Sequence, residues 1–380
     1  MKILITTDLF ATATNGVVTS VRNLSDELTR KGHDVRILTL SDSLTSRRDG
    51  AVYYIRSMPI GIYPNVRMPL SYHHRLIKEL IAWKTDVIHS QCEFFSLQFA
   101  RYIAKKTKAP IIHTYHTLYE QYVTYVIPSK RLGKLVVRAV SRNRLRSVHT
   151  VIVPTRKVED ALLEYGLRKP IRVVPSGISL TQHKRRMSPK ERAEKRKALG
   201  IAEKQSVLLN LGRLGTEKNL DELLHFFASA LAYREDMIFL IVGDGPARAQ
   251  LQKLAEELGI SEHVMFTGMV DPSEVQDYYQ LGDVFVSAST SETQGLTYIE
   301  AAANGLPLLC RRDPCLQDVI AQGENGYAYT TEAEFLDGIH ALFEHPEQRI
   351  AAGKRSEEIA AAFDKETFGA AVEAIYASVL

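Results

Sequence analysis

Short apolar runs that end in a turn and lead into a helix-length stretch recur along this chain, and that alternation restricts its fold most. Strand, helix and strand in succession close into a parallel sheet with helices on its faces. Lys2-Ile3-Leu4-Ile5-Thr6-Thr7 reads as a first strand. Asn15-Gly16 is a turn opening a helix through about residue 30, with Val18, Val21, Leu24, Ser25 and Leu28 on one side. The helix stops at Lys31-Gly32 and gives way to the strand Asp34-Val35-Arg36-Ile37-Leu38-Thr39. Strand-like runs follow at 86–89, 110–113, 149–153 and 171–174, with helical stretches between them. A Lys- and Arg-rich segment over 182–198, a connection and the start of a helix, leads to further strands at 206–212, 238–242, 264–270 and 283–287. Both halves are thus α/β, and 380 residues exceed a single core.

No apolar segment reaches the roughly 18 residues that span a bilayer, and the N-terminus begins as a strand rather than a signal peptide, so the chain is expected in the cytoplasm. Cys92, Cys310 and Cys315 lack a metal-ligand spacing and read as reduced thiols. Charge is unevenly spread. Residues 1–178 hold 28 Lys and Arg against 13 Asp and Glu, a net +15, whereas residues 179–380 hold 20 against 31, a net −11. The first half is therefore expected to meet something anionic, either lipid headgroups or a polyanion. Residues 128–149 carry seven Lys and Arg and no acid. Lys130, Lys134, Arg138 and Arg142 recur every fourth position beside Leu135, Val136, Ala139 and Val140, which makes a basic amphipathic helix. It reads either as a membrane-surface element or as a solvated charged face. No nucleic-acid-binding module pattern accompanies it.

Candidate site residues follow strand ends. Ser291-Glu292-Thr293-Gln294-Gly295-Leu296-Thr297-Tyr298-Ile299-Glu300 reads as a loop feeding a helix start. Unpaired backbone N–H groups there favour a diphosphate. Glu292 and Glu300 would then accept hydrogen bonds from hydroxyls on either side; alternatively Glu292 is a solvated loop residue and Glu300 complements the helix dipole. Arg213 and Lys218 flank a glycine turn ahead of a helix over 220–231, cations suited to a leaving diphosphate. His113, His116 and Glu120 raise the question of a metal, but no third ligand follows at a diagnostic spacing, and His116 reads as a hydrogen-bonding site residue. There is no G-x-G-x-x-G, which counts against a dinucleotide oxidoreductase, and no Asp-x-Asp to hold a metal on the diphosphate.

Asn15-Gly16, Tyr115-His116-Thr117, Gly212-Arg213 with Glu217-Lys218-Asn219, Gly243-Asp244-Gly245-Pro246 and Glu292 to Glu300 as E-x(7)-E occur in one order along the chain. Together they resemble the retaining, nucleotide-sugar-dependent glycosyltransferases of the GT-B fold. The stretch from Thr114 to Tyr122, with the basic helix after it, is similar to the bacterial glycolipid-forming branch that includes 1,2-diacylglycerol 3-glucosyltransferases. The resemblance implies two Rossmann-like, doubly wound domains facing across a cleft: an acceptor- and membrane-facing domain over 1–178, a donor domain over 179–362, and a last helix over 363–380 crossing back to the first.

It also implies roles. Glu300 would bind the ribose and Glu292 the donor sugar, while the backbone of Gln294, Gly295 and Leu296 would hold diphosphate and sugar. Arg213 and Lys218 would stabilise the departing diphosphate. Gly16 would pack against it, His116 would reach the sugar, and Met269 and Val270 would receive the base. The implied reaction transfers a hexose, foremost glucose from UDP-glucose, to a lipid such as diacylglycerol, with no metal and no cofactor beyond the donor. Its partners would be the nucleotide sugar, the lipid acceptor and an anionic membrane surface met through residues 130–146, with no nucleic acid. The place would be the inner face of the cell membrane. A soluble or polymeric glycan acceptor, a sugar-nucleotide epimerase and a silent binding module are the alternatives. The chain departs from the family pattern at Gln91, where a second His is usual, at Ser176-Gly177-Ile178-Ser179, and at Gln294, where Phe is common.

Overall fold

The computed structural model describes residues 1–10, 15–60, 66–121, 129–183 and 186–380, without the side chains of Gln121 and Lys130. Tyr122, part of the motif quoted above, and Pro128 lie outside the described residues. The chain divides into two compact units, Met1–Ile178 with Lys365–Leu380, and Ser179–Asp364.

The first unit runs β1 (Lys2–Thr6), α1 (Gly16–Arg30), β2 (Asp34–Leu40), β3 (Arg47–Asp49), β4 (Val52–Ile55), β5 (Ser57–Pro59), β6 (Arg67–Pro69), α2 (Arg75–Trp83), β7 (Val87–Ser90), α3 (Phe95–Thr107), β8 (Ile111–Thr114), α4 (Lys130–Leu145), β9 (Thr150–Val153), α5 (Arg156–Glu164) and β10 (Ile171–Val173). Its sheet has the order β10-β9-β8-β7-β1-β2-β4-β3, parallel except at the β3–β4 edge. Ile3 sits opposite Val35 on one side and Val87 on the other. Neighbouring strand residues serve opposite faces, so both faces need covering. Ile3, Ile5 and Ile37 pack under Val21, Leu24 and Leu28 of α1, whereas Leu4, Leu38 and Ile88 join the core containing Leu80, Phe99 and Ile103 of α2 and α3. Asn15 caps α1, its Oδ1 accepting the Val18 N–H at 3.0 Å. The short β5–β6 hairpin carries no sequence signal strong enough to anticipate it.

The second unit runs α6 (Leu180–His183), α7 (Pro189–Ala198), β11 (Ser206–Leu211), α8 (Leu220–Leu231), β12 (Met237–Val242), α9 (Arg248–Glu257), β13 (Val264–Gly268), α10 (Val275–Leu281), β14 (Val284–Ser287), α11 (Leu296–Ala303), β15 (Leu308–Arg311), β16 (Gly326–Tyr329), α12 (Glu332–Phe343) and α13 (Pro346–Ala360). Its six-stranded sheet is parallel, in the order β13-β12-β11-β14-β15-β16. The basic stretch read as a connection and the start of a helix holds α7, which is anchored at both its cap and its arginines. Ser188 and Glu191 form a reciprocal cap at the start of α7, and Arg192 and Arg196 both reach Asp283 at 2.8 Å. Helix α14 (Lys365–Ala377) belongs to the first unit, where Phe368, Val372 and Tyr376 pack beside Val21 and Leu24. Among the described residues, no helix is long and apolar enough to cross a membrane.

Candidate active site

In the second unit the connections leave β11 toward β12 on one side, while β14 leads to β15 and β16 on the other. Loops after β11 and β14 therefore part at a switch point, the usual ligand crevice of an open α/β sheet. Arg213, Lys218 and Glu292 all lie on those two loops.

Close backbone approach shapes the floor. The Gly212 N–H donates to the Val242 carbonyl at 2.9 Å, and the Gly243 N–H to the Gly268 carbonyl at 3.1 Å. Gly243 has φ +129°, and a Cβ there would strike the carbonyl oxygen of Gly212. The glycines of the Gly-Asp-Gly-Pro motif thus let successive strand ends stack. Asp244 accepts the Gly245 N–H at 2.7 Å and pairs with Arg248 at 3.2 Å.

Beyond Gly212, a short 3-10 turn over Thr216–Lys218 ends at Asn219, a left-handed residue whose amide donates to the Ala288 carbonyl at 3.1 Å. That bond ties the two loops together and presents Lys218 to the β14 loop. The Lys218 ammonium pairs with the Glu292 carboxylate, with side chains 22% and 23% exposed. Ser289 Oγ also donates to Glu292, at 3.4 Å. Arg213, more open, is braced by the Glu217 carboxylate four residues on.

Gly295 begins α11 in the left-handed region at φ +75°, with no side-chain cap on the helix. A Cβ there would collide with the Tyr298 ring and meet Glu292 Cγ at 3.3 Å. Gly295→Ala is accordingly expected to cost about 2–4 kcal/mol, from left-handed strain plus displacement of a buried aromatic. A fall of several degrees in the thermal unfolding midpoint would register it; an unchanged midpoint would contradict the geometry.

Glu300 lies elsewhere on the helix. Its Oε2 accepts the Tyr279 hydroxyl at 2.7 Å, and burial raises its carboxyl above the ordinary value. The two glutamates of E-x(7)-E therefore have separate partners, Lys218 for one and Tyr279 for the other. Gln294 is buried, Leu296 half-buried, and past β13 Met269 is 78% exposed with Val270 half-buried.

In the first unit, Gly16 is exposed at the start of α1. His116 follows β8, and its Nε2 meets Gln91 Oε1 at 2.7 Å. Burial, then His113, pushes its pKa down to about 3, so the ring is neutral at pH 7. Gln91, standing where the family pattern has a second His, is the partner of His116. The Nε2 of His113 meets Glu93 Oε1 at 3.2 Å. Among the described residues no group of three or more His, Cys, Asp or Glu is arranged to hold a metal, and His113 and His116 instead make hydrogen bonds to side chains.

Two acids went unnoticed in the sequence. Asp8 accepts the Ser96 N–H at 2.6 Å, and burial lifts its pKa to about 6. Glu93, nearly enclosed, takes His113 on one oxygen and the Tyr119 hydroxyl on the other at 2.5 Å. Both follow directly on the adjacent strands β1 and β7, where the order of this sheet reverses. An acid just past a strand's C-terminal end was the signal available.

Residues 191–359 match the family described as Glycosyl transferases group 1, and residues 14–182 match Glycosyltransferase Family 4. The chain is 35% identical to an alpha-monoglucosyldiacylglycerol synthase of Streptococcus pneumoniae over 99% of its own length and 85% of that protein's. It is 30% identical to the enzyme of the same name from Acholeplasma laidlawii, over 100% and 98%. Among solved structures, Anabaena HepE in complex with UDP and glucose superposes with a TM-score of 0.78 at 18% identity, covering both chains in full.

Proposed function

The chain belongs to the group 1 glycosyl transferases, enzymes that move a sugar from a nucleotide sugar, and on that premise we propose that it transfers glucose from UDP-glucose to diacylglycerol with retention of anomeric configuration, at the cytoplasmic face of a membrane. The observation that carries this reading is the Lys218–Glu292 pair at the switch point of the second sheet, in a chain whose whole length aligns with two synthases of that name.

Lys218 and Arg213 meet the diphosphate, whose negative charge grows as the anomeric C–O bond breaks. Main-chain N–H groups of Gln294, Gly295 and Leu296 share that charge. Glu292 accepts from the sugar hydroxyls while its contact with Lys218 fixes its direction. Glu300, steadied by Tyr279, takes the ribose, and Met269 and Val270 flank the base. The acceptor oxygen attacks on the face that the diphosphate leaves, and its proton passes to a diphosphate oxygen, giving UDP and the glycoside. No protein nucleophile and no metal are assigned.

Support for a lipid acceptor comes from α4. Leu132, Leu135, Val136, Ala139 and Val140 are exposed along it, beside Arg131, Lys134 and Arg142, while Val137, Ser141 and Leu145 face inward. An outward apolar stripe edged with cations suits an anionic bilayer.

Incubating purified chain with UDP-glucose and diacylglycerol in mixed micelles is expected to release UDP and yield an α-linked glucolipid by NMR. UDP release with a glycan but with no lipid would remove the lipid assignment, and a β-linked product would remove retention.

A further inference from the structure

We propose that Arg142, Arg146, Arg168 and Lys169 form a discrete binding pocket for the phosphate group of an acidic phospholipid, at the C-terminal end of α4. These four residues line a recess of about 440 Å³ together with Gly166 and Leu167. Gly166, left-handed at φ +78°, ends the turn after α5 beside the Arg142 guanidinium, whose Nη1 lies 4.0 Å from where a Cβ at Gly166 would sit.

The ordinary explanation for cations at such a place is that they cap helix carbonyls. Here other arginines do so. Arg101 donates to the Arg144 carbonyl at the end of α4, and Arg138 to the Glu164 carbonyl at the end of α5. The side chains of Arg142, Arg146, Arg168 and Lys169 make no hydrogen bond or ion pair to any described residue, and no acid lines the recess. The two helix ends contribute about half a negative charge each. Four full positive charges outweigh them, leaving a strong local excess to attract an anion.

The source of the phosphate follows from the helix. With about 100° of rotation per residue, Arg142 and Arg146 project on either side of the direction of Leu135, so the recess lies at the end of the exposed apolar stripe of α4. A headgroup phosphate reaches the recess while the stripe meets the bilayer. The lipid part of this inference rests on the membrane reading above; the phosphate part does not.

The test uses the full chain, the double variant R168A/K169A, which leaves α4 untouched, and a control, K105A/K106A, at the exposed end of α3. Apparent affinity is measured by flotation on phosphatidylcholine vesicles with and without phosphatidylglycerol, and inorganic phosphate is titrated by calorimetry. R168A/K169A is expected to weaken binding to the acidic vesicles about twenty-fivefold, at about fivefold per cation near an anionic surface, against less than threefold for the control. Loss on vesicles alone identifies the lipid headgroup. Variant-sensitive binding of inorganic phosphate, with vesicle binding unchanged, keeps a phosphate site and overturns the lipid source. Equal losses in both double variants, or none in either arm, overturn the pocket. Glucosyl transfer in micelles without acidic lipid should match wild type for both variants; failure of wild type there removes the proposed function and leaves the pocket test intact.

Discussion

Lys218→Ala is expected to lower turnover about 10²- to 10³-fold, the usual loss when one preorganised charge at a developing anion is removed. The same change should scarcely move the unfolding midpoint. The Lys218–Glu292 pair is about a quarter exposed on each side, and partly solvated pairs contribute at most about 1 kcal/mol. Activity and stability thus part company by some 3 kcal/mol, which separates a lysine that meets the leaving diphosphate from one that merely neutralises Glu292. Lys218→Arg keeps the charge but spreads it over a planar fork, so it should recover only part of the rate. Turnover of the alanine variant within threefold of wild type, with UDP release measured at saturating donor, would defeat the assignment.

The fold was readable because each strand ends where its apolar run ends. Ile3 to Thr6, Ser206 to Asn210 and Val284 to Ser287 are buried on both faces, so each reads as one near-continuous run bounded by turns. The β5–β6 hairpin and the anchoring of α7 were not readable. The first depends on a three-residue pairing of Ser57–Pro59 with Arg67–Pro69, too short for a periodic pattern. The second depends on Asp283, which lies 87 positions beyond its partner Arg196 and shares no local pattern with it.

The site was legible in the same uneven way. Lys218 and Glu292 stand 74 residues apart, and only the neighbouring of β11 and β14 brings them together. Spacing paired Glu292 with Glu300 instead, although each turns to a different partner. Asp8 and Glu93 were passed over because a lone acid after a strand looks like any turn residue until the sheet order places both at one reversal.

Replacing Leu132 and Leu135 together by glutamate is expected to abolish flotation on acidic vesicles, a loss of about a thousandfold or more. Each leucine that enters a bilayer contributes roughly 1.5–3 kcal/mol, and two carboxylates facing an anionic surface add repulsion of about 1 kcal/mol each. In the protein alone the two side chains are 54% and 61% exposed, so the substitutions remove little packing and the unfolding midpoint should hold. Ile350, 60% exposed on α13 of the other unit, supplies the control: Ile350→Glu should float as wild type does. Transfer to diacylglycerol presented in micelles should survive the double change, because no residue assigned to the donor lies on α4. Flotation that persists in the double variant would leave the stripe an ordinary solvated face and return the choice of acceptor to the soluble glycans.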